Sequence, residues 1–255
     1  MIYSSLPAGP HERRVIVPLT SPSLTVCESS RDGKKTTIDP EVACLKIPDR
    51  PKRYGRSRSL EADLFRRGQL RDQQVLVQSA FADDVYFPLD EFADKLALQK
   101  LHLTIELCQI LGATAVSIDE LTLSSSGRSK DLVAGGQRLA VTGQLTASQD
   151  ELASTAAAKT SNHEFAGSDA DIGAAQDFLL RTRLDSDLHL SSLARLRAGP
   201  NEFRQQTLSF STSSEAKRSR DLALKVGIPF TKVEAAVKTV QTEATEYKFK
   251  FVVTF

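Results

Sequence analysis

Three side chains, Asp185, Asp187 and His189, carry the densest potential chemistry of this chain, in the spacing D-x-D-x-H. In an extended segment all three point to one face. Two carboxylates and an imidazole there can hold a divalent cation, which would make the protein a metal-dependent hydrolase. A fourth ligand would have to come from His163, Glu164, Asp169 or Asp171. The same residues also read as a helix start, with Asp187 as N-cap and its carboxylate meeting the helix dipole. The capping reading is the favoured one and leaves no metal site. His102 and Glu106 stand four apart, the spacing of a metal or proton-transfer pair on a helix. Both fall on a polar stripe, where solvation alone accounts for them.

A second chemistry is electrostatic. Arg50, Lys52, Arg53, Arg56 and Arg58 surround Tyr54. They form a candidate surface for the phosphates of nucleic acid or for an anionic membrane. A solvated loop is the ordinary alternative. Lys217, Arg218 and Arg220 make a weaker basic patch. Gly135-Gly136 fits neither the Walker A spacing nor G-x-G-x-x-G, and no serine sits in G-x-S-x-G. Cys27 has neither a neighbouring His nor a CxxC partner. These motifs point to no cofactor and favour a protein that is not an enzyme.

The elements that would position these residues centre on a long helix. Asp90 is its N-cap candidate, and Glu91, Lys95, Gln99, His102, Glu106 and Gln109 define one polar stripe. Phe92, Leu96, Leu98, Leu101, Leu103, Ile105, Leu107, Cys108, Ile110 and Leu111 wrap most of the rest, interrupted by Lys100 and Thr104. A helix this apolar is buried on several sides. Gly112 closes it, and a strand follows at 114–118. Before the helix, 14–19 and 24–27 read as a strand hairpin around Pro22, with Pro18 placing the first strand at an edge. Residues 31–35 read as a charged turn, 42–47 as a strand, 49–59 as loop and 60–67 as one or two helical turns. Short strands at 74–78 and 85–87 lead into the long helix.

Residues 119–170 are rich in Ser, Thr, Ala and Gly and read as a mobile ribbon and loop region. Leu121 and Leu123, then Leu139, Val141 and Leu145, fall on alternate positions, an antiparallel pair around a loop at 124–136. A helix is predicted at 150–159 and a mobile loop at 160–168. The segment 170–181 reads as helix, with Ala174, Phe178 and Leu179 inward. A strand is expected at 203–211 and helices at 213–226 and 231–242. Tyr247, Phe249, Phe251, Val253 and Phe255 alternate at the end of the chain, the strongest strand signal present. An aromatic strand of this kind belongs inside a sheet.

At 255 residues the chain is read as a single domain, 1–255. A composition 40% hydrophobic and 25% charged is ordinary for a globular protein. The net charge of +1 supplies no global field for nucleic acid or membrane. Three cysteines are not a disulfide framework, and the first ten residues lack the apolar core of a signal peptide. The expectation is a soluble cytoplasmic protein. Strands and helices do not alternate regularly, so the fold class is α+β: a mixed or antiparallel sheet packed on a long buried helix, with the ribbon region attached.

That order of elements resembles, as architecture, the pore-forming folds of the gasdermin and perforin kind. The resemblance implies a non-catalytic intracellular effector or assembly protein, self-associating as a homo-oligomer and acting on an anionic membrane. The metal-dependent hydrolase and a nucleic-acid-binding module using the 50–58 loop are the alternatives.

Overall fold

The computed structural model describes residues 2–47, 59–125, 128–132, 163–199, 204–212, 217, 221–222, 226 and 245–255. The fold is α+β, and the chain forms two compact units. The first comprises Met1–Ser79, Asp83–Phe92 and Lys217–Glu243; the second comprises Ala80–Ala82, Ala93–Ala216 and Ala244–Phe255.

The first unit is built on a mixed five-stranded sheet of order β1-β3-β2-β4-β5. Its strands are β1 (Ile2–Tyr3), β2 (Val15–Leu19), β3 (Val42–Lys46), β4 (Leu76–Gln78) and β5 (Tyr86–Pro88). β2 and β3 are parallel, and parallel neighbours need a crossover. Helices α1 (Ser21–Ser29) and α2 (Arg31–Ile38) supply it. This corrects two expectations at once: the 24–27 strand and the 31–35 turn are both helical. Thr25 and Val26 favour strand by local propensity. The helix forms because Pro22 suits its first turn and because Ser23 and Cys27, four apart, are the residues it buries. The corner between the helices requires Gly33, where a Cβ would run into the Cys27 carbonyl oxygen. Ser30 Oγ accepts from Gly33 N at 2.9 Å and caps α2.

Pro18 is not at an edge either. β2 lies between β3 and β4, but β4 pairs only with Val15 and Ile16. The Pro18 carbonyl accepts from Gln73 N at 2.9 Å, so its nitrogen faces the side where β4 has already ended. No ladder bond is lost there. Ile16, Ala43, Leu45, Leu76 and Tyr86 form the core with Leu64 of α3 (Leu60–Arg66). The Tyr86 hydroxyl donates to the Arg13 carbonyl at 2.9 Å, and burial pushes its pKa up to about 12.

The second unit carries an antiparallel sheet of order β7-β6-β10-β9, with β8 also on β6. Its strands are β6 (Ala115–Ser125), β7 (Arg128–Leu132), β8 (His163–Glu164), β9 (Gln205–Ser211) and β10 (Thr245–Thr254). β10 is interior, as its alternation predicts, and Tyr247, Phe249, Phe251 and Val253 are all buried. Asp119 is an extra residue in β6 opposite the Lys250/Phe251 step, a β-bulge. The partner of the distal half of β6 is Arg128–Leu132, inside the stretch expected to be loop; 139–145 lies outside the described residues. His163–Glu164 is strand within the expected 160–168 loop. The predicted helices at 150–159 and 231–242 also lie outside the described residues, as does most of 213–226.

Helix α4 (Phe92–Ile110) packs on the sheet, preceded by a 3-10 turn at Leu89–Glu91. Leu96, Lys100, Thr104, Leu107 and Leu111 make its buried stripe; His102, Glu106 and Gln109 are exposed. The two polar residues within that stripe are bonded. Thr104 Oγ1 donates to the Lys100 carbonyl at 2.8 Å, and Lys100 is treated below. Asp94 accepts a short hydrogen bond from the buried Tyr247 hydroxyl. The helix ends in a Schellman motif: Ala113 N donates to Cys108 O and Gly112 N to Gln109 O, with Gly112 at φ 81°. Helices α5 (Ile172–Arg181) and α6 (Leu188–Arg197) also belong to this unit. On α5 the buried residues are Ala175, Phe178 and Leu179, whereas Ala174, expected to face inward, is exposed. Among the described residues no helix is long and apolar enough to cross a membrane.

Candidate functional site

The second unit carries a groove of about 620 Å³ lined by several polar side chains. One wall is the C-terminal end of β9 with the facing part of β10, where Ser211 pairs with Lys248, Phe210 with Phe249 and Ser209 with Lys250. The second wall is the α5–α6 connection, with Arg183, Ser186, Asp187, Leu188 and His189. Lys100 enters from α4, and Phe81 adds an apolar surface. The volume is that of a small-ligand or peptide-side-chain site.

The geometry of the α5–α6 connection follows from local rules. α5 closes with Leu184 N donating to Leu179 O at 2.9 Å, and Arg183 takes the left-handed position at φ 58°. Glycine normally fills that position, so a long cation there is held by its surroundings. The chain then turns, with Asp187 N donating to Leu184 O at 3.0 Å, and Asp187 caps α6. Its Oδ1 accepts from His189 N at 3.1 Å and from Leu190 N at 3.4 Å. Its Oδ2 lies 3.0 Å from Lys100 Nζ. One carboxylate therefore serves as a helix cap and as an ion-pair partner.

Lys100 is 3% exposed and links three elements. Besides Asp187 on the cap of α6, its ammonium donates to the Ser211 carbonyl of β9 at 3.1 Å and lies 5.1 Å from the Phe210 ring centroid. A buried ammonium persists only when it is paired and bonded, and this one is. It orders the groove rather than meeting what enters.

Lys100, Arg183, Lys248 and Lys250 outweigh the single lining carboxylate, Asp187. Of these cations Arg183 and Lys248 are exposed and Lys250 is half-buried. Ser186, Ser209, Ser211 and His189 add donors, and Leu188, 79% exposed, adds an apolar lip. This arrangement can bind an anionic group and seat an apolar neighbour beside it. Burial pushes the Cys44 and Cys108 thiols up to about 12 and raises Cys27, so these are neutral thiols rather than nucleophilic thiolates. Burial also raises Tyr247 well above the usual phenol range.

The sequence-predicted site residues are distributed as follows. Asp187 is the cap that the favoured reading requires. Asp185 is exposed, its carbonyl accepting from Ser191 Oγ at 2.7 Å, and His189 lies in the first turn of α6. The three are a turn and a helix start, not the extended run that would align them on one face. Among the described residues no group of three or more His, Cys, Asp or Glu side chains is placed to hold a metal ion. His102 and Glu106 are exposed on α4. Arg50, Lys52, Arg53, Arg56 and Arg58 lie outside the described residues. Arg183, Lys248 and Lys250 were missed as site residues. The one available signal was the polar phase of the closing strand, where the lysines alternate with aromatics. The chain matches no protein-family model, no curated protein and no solved structure.

Proposed function

We propose that this chain is a non-catalytic effector that works by binding an anionic partner in the groove of its second unit. The observation that carries the reading is the meeting of Arg183 and Lys248, with three serines, at a groove whose own carboxylate is already taken by Lys100. Charged groups so arranged recruit a partner and set its orientation. The basic residues among 50–58 are proposed as a second anionic contact, and self-assembly as a homo-oligomer remains part of the proposal. A pore-forming version would need β6 and β7 to leave the sheet. Weighing against it, β6 pairs with the central strand β10 from Ala115 to Ser125, and unzipping that ladder would expose the buried aromatic face of β10.

The test is fluorescence anisotropy with three labelled probes: an acidic peptide, a short single-stranded DNA and phosphatidylserine vesicles. Each is run at low and high salt on the wild type and on the Arg183→Ser/Lys248→Ser double variant. The expected result is salt-sensitive binding of at least one probe, weakened at least about tenfold in the variant. Binding of no probe, or binding indifferent to the substitutions, refutes the proposal.

A further inference from the structure

The groove opens onto the outer edge of β9, and the register of that strand defines what the edge offers. Arg204 O accepts from Phe255 N, and Thr212 N donates to Tyr247 O, so the even-numbered residues of β9 face β10. The N–H and C=O groups of Gln205, Thr207, Ser209 and Ser211 therefore point outward. The Ser211 carbonyl, taken by Lys100, confirms the phase. Among the described residues no strand pairs with this edge, and Gln205, Thr207 and Ser209 are exposed. Exposed edges are templates for another strand.

We infer that the anionic partner is an extended acidic peptide that adds to β9 as a further strand, with its carboxylates meeting Lys248. The inference rests on the binding reading above and names the partner class of the same groove. Charge complementarity selects the occupant. The segment 204–212 carries no acidic residue, Arg204 is exposed at one end of it, and Arg183 and Lys248 stand at the other. The side chains of an added strand alternate between two faces. On one face lies Lys248, on a rung with Ser211. Leu188 of α6, 79% exposed, lines the same groove as the buried Phe210. An alternating acidic and apolar peptide satisfies both. Main-chain hydrogen bonds would supply affinity and the alternate side chains specificity, the usual division of labour in strand addition.

The probe is a labelled hexapeptide of alternating Glu and Val, compared with the same peptide N-methylated at alternate backbone nitrogens. Methylation keeps charge and side chains but removes donors from one edge, so both methylation phases are made. On the protein, Ser209→Pro removes an outward N–H without touching the β10 ladder, a substitution that edge positions tolerate. The expected result is that the plain peptide binds and that one methylation phase and Ser209→Pro each weaken it at least about tenfold, the loss of one to two main-chain hydrogen bonds. If Ser209→Pro shifts the thermal midpoint, the methylated peptides on wild-type protein decide alone. Equal binding of plain and both methylated peptides overturns strand addition while leaving anionic binding intact. Binding of the single-stranded DNA but not the peptide overturns the partner class. Binding of no anionic probe overturns the groove reading itself.

Discussion

Replacing Lys100 by Met tests whether a buried ion pair organises the second unit. The stem keeps its packing and the ammonium is lost. Asp187 Oδ2 then loses a cation 3.0 Å away, in a pair whose side chains are 3% and 13% exposed. The Ser211 carbonyl loses its donor at 3.1 Å. Removing one partner of a buried pair costs roughly 3–5 kcal/mol. Asp187 keeps two backbone donors through Oδ1, which places the loss at the lower end, about 3 kcal/mol. Asp187→Asn retains a capping oxygen but takes the carboxylate charge from the ammonium, so it too destabilises. The double variant should be barely worse than either single change, giving a coupling of about 3 kcal/mol between residues in direct contact. The assay is urea unfolding of the full chain. The chain has no tryptophan, so far-ultraviolet circular dichroism and tyrosine fluorescence serve as the two probes, and their coincidence tests for a single transition. A loss below about 0.5 kcal/mol for Lys100→Met, or zero coupling, would refute the reasoning.

Leu107→Asp places a carboxylate at a fully buried position of α4 and should cost several kcal/mol or abolish folding; an unchanged thermal midpoint contradicts the packing of α4 on the sheet. Deleting residues 249–255 removes Phe249, Phe251 and Val253 from the core and leaves both β6 and β9 without their shared partner, so the truncated chain should be insoluble; cooperative unfolding of a soluble product would count against this account. Stability should fall in alkali. Burial raises Cys44 and Cys108 from 9.0 to about 12 and Tyr86 from 10.0 to about 12, so the folded chain keeps protons that the unfolded chain has released. The sign follows: stability from these groups is full below about pH 9 and is lost as pH rises toward 12. Urea midpoints measured across that range should decline, and Cys108→Ala should flatten the slope; a flat wild-type profile would show that these groups are not buried.

The local sequence determined those elements whose pattern coincides with their burial. The alternation of Tyr247, Phe249, Phe251 and Val253 is legible because one face of β10 is core, and its interior place in the sheet follows from the same residues. The polar stripe of α4 and the cap at Asp187 are legible because helix period and capping act over a few residues. Tertiary structure alone decided the rest. Helices α1 and α2 form as the crossover that joins parallel β2 to β3, and their own residues carry too narrow a buried stripe to announce it. Pro18 is tolerated in an interior strand because β4 stops short of it, a fact about a segment some sixty residues away. Lys100 reads as an interruption in an apolar helix until the β9 carbonyl and the Asp187 carboxylate are brought to it from 111 and 87 residues further along the chain. The groove has the same origin: Arg183, Lys248 and Lys100 belong to segments with no local reason to meet, and the sheet register and the α5–α6 turn bring them together. Hydrophobic periodicity encodes which face of an element is buried, whereas partners distant in sequence are encoded only in the packed structure.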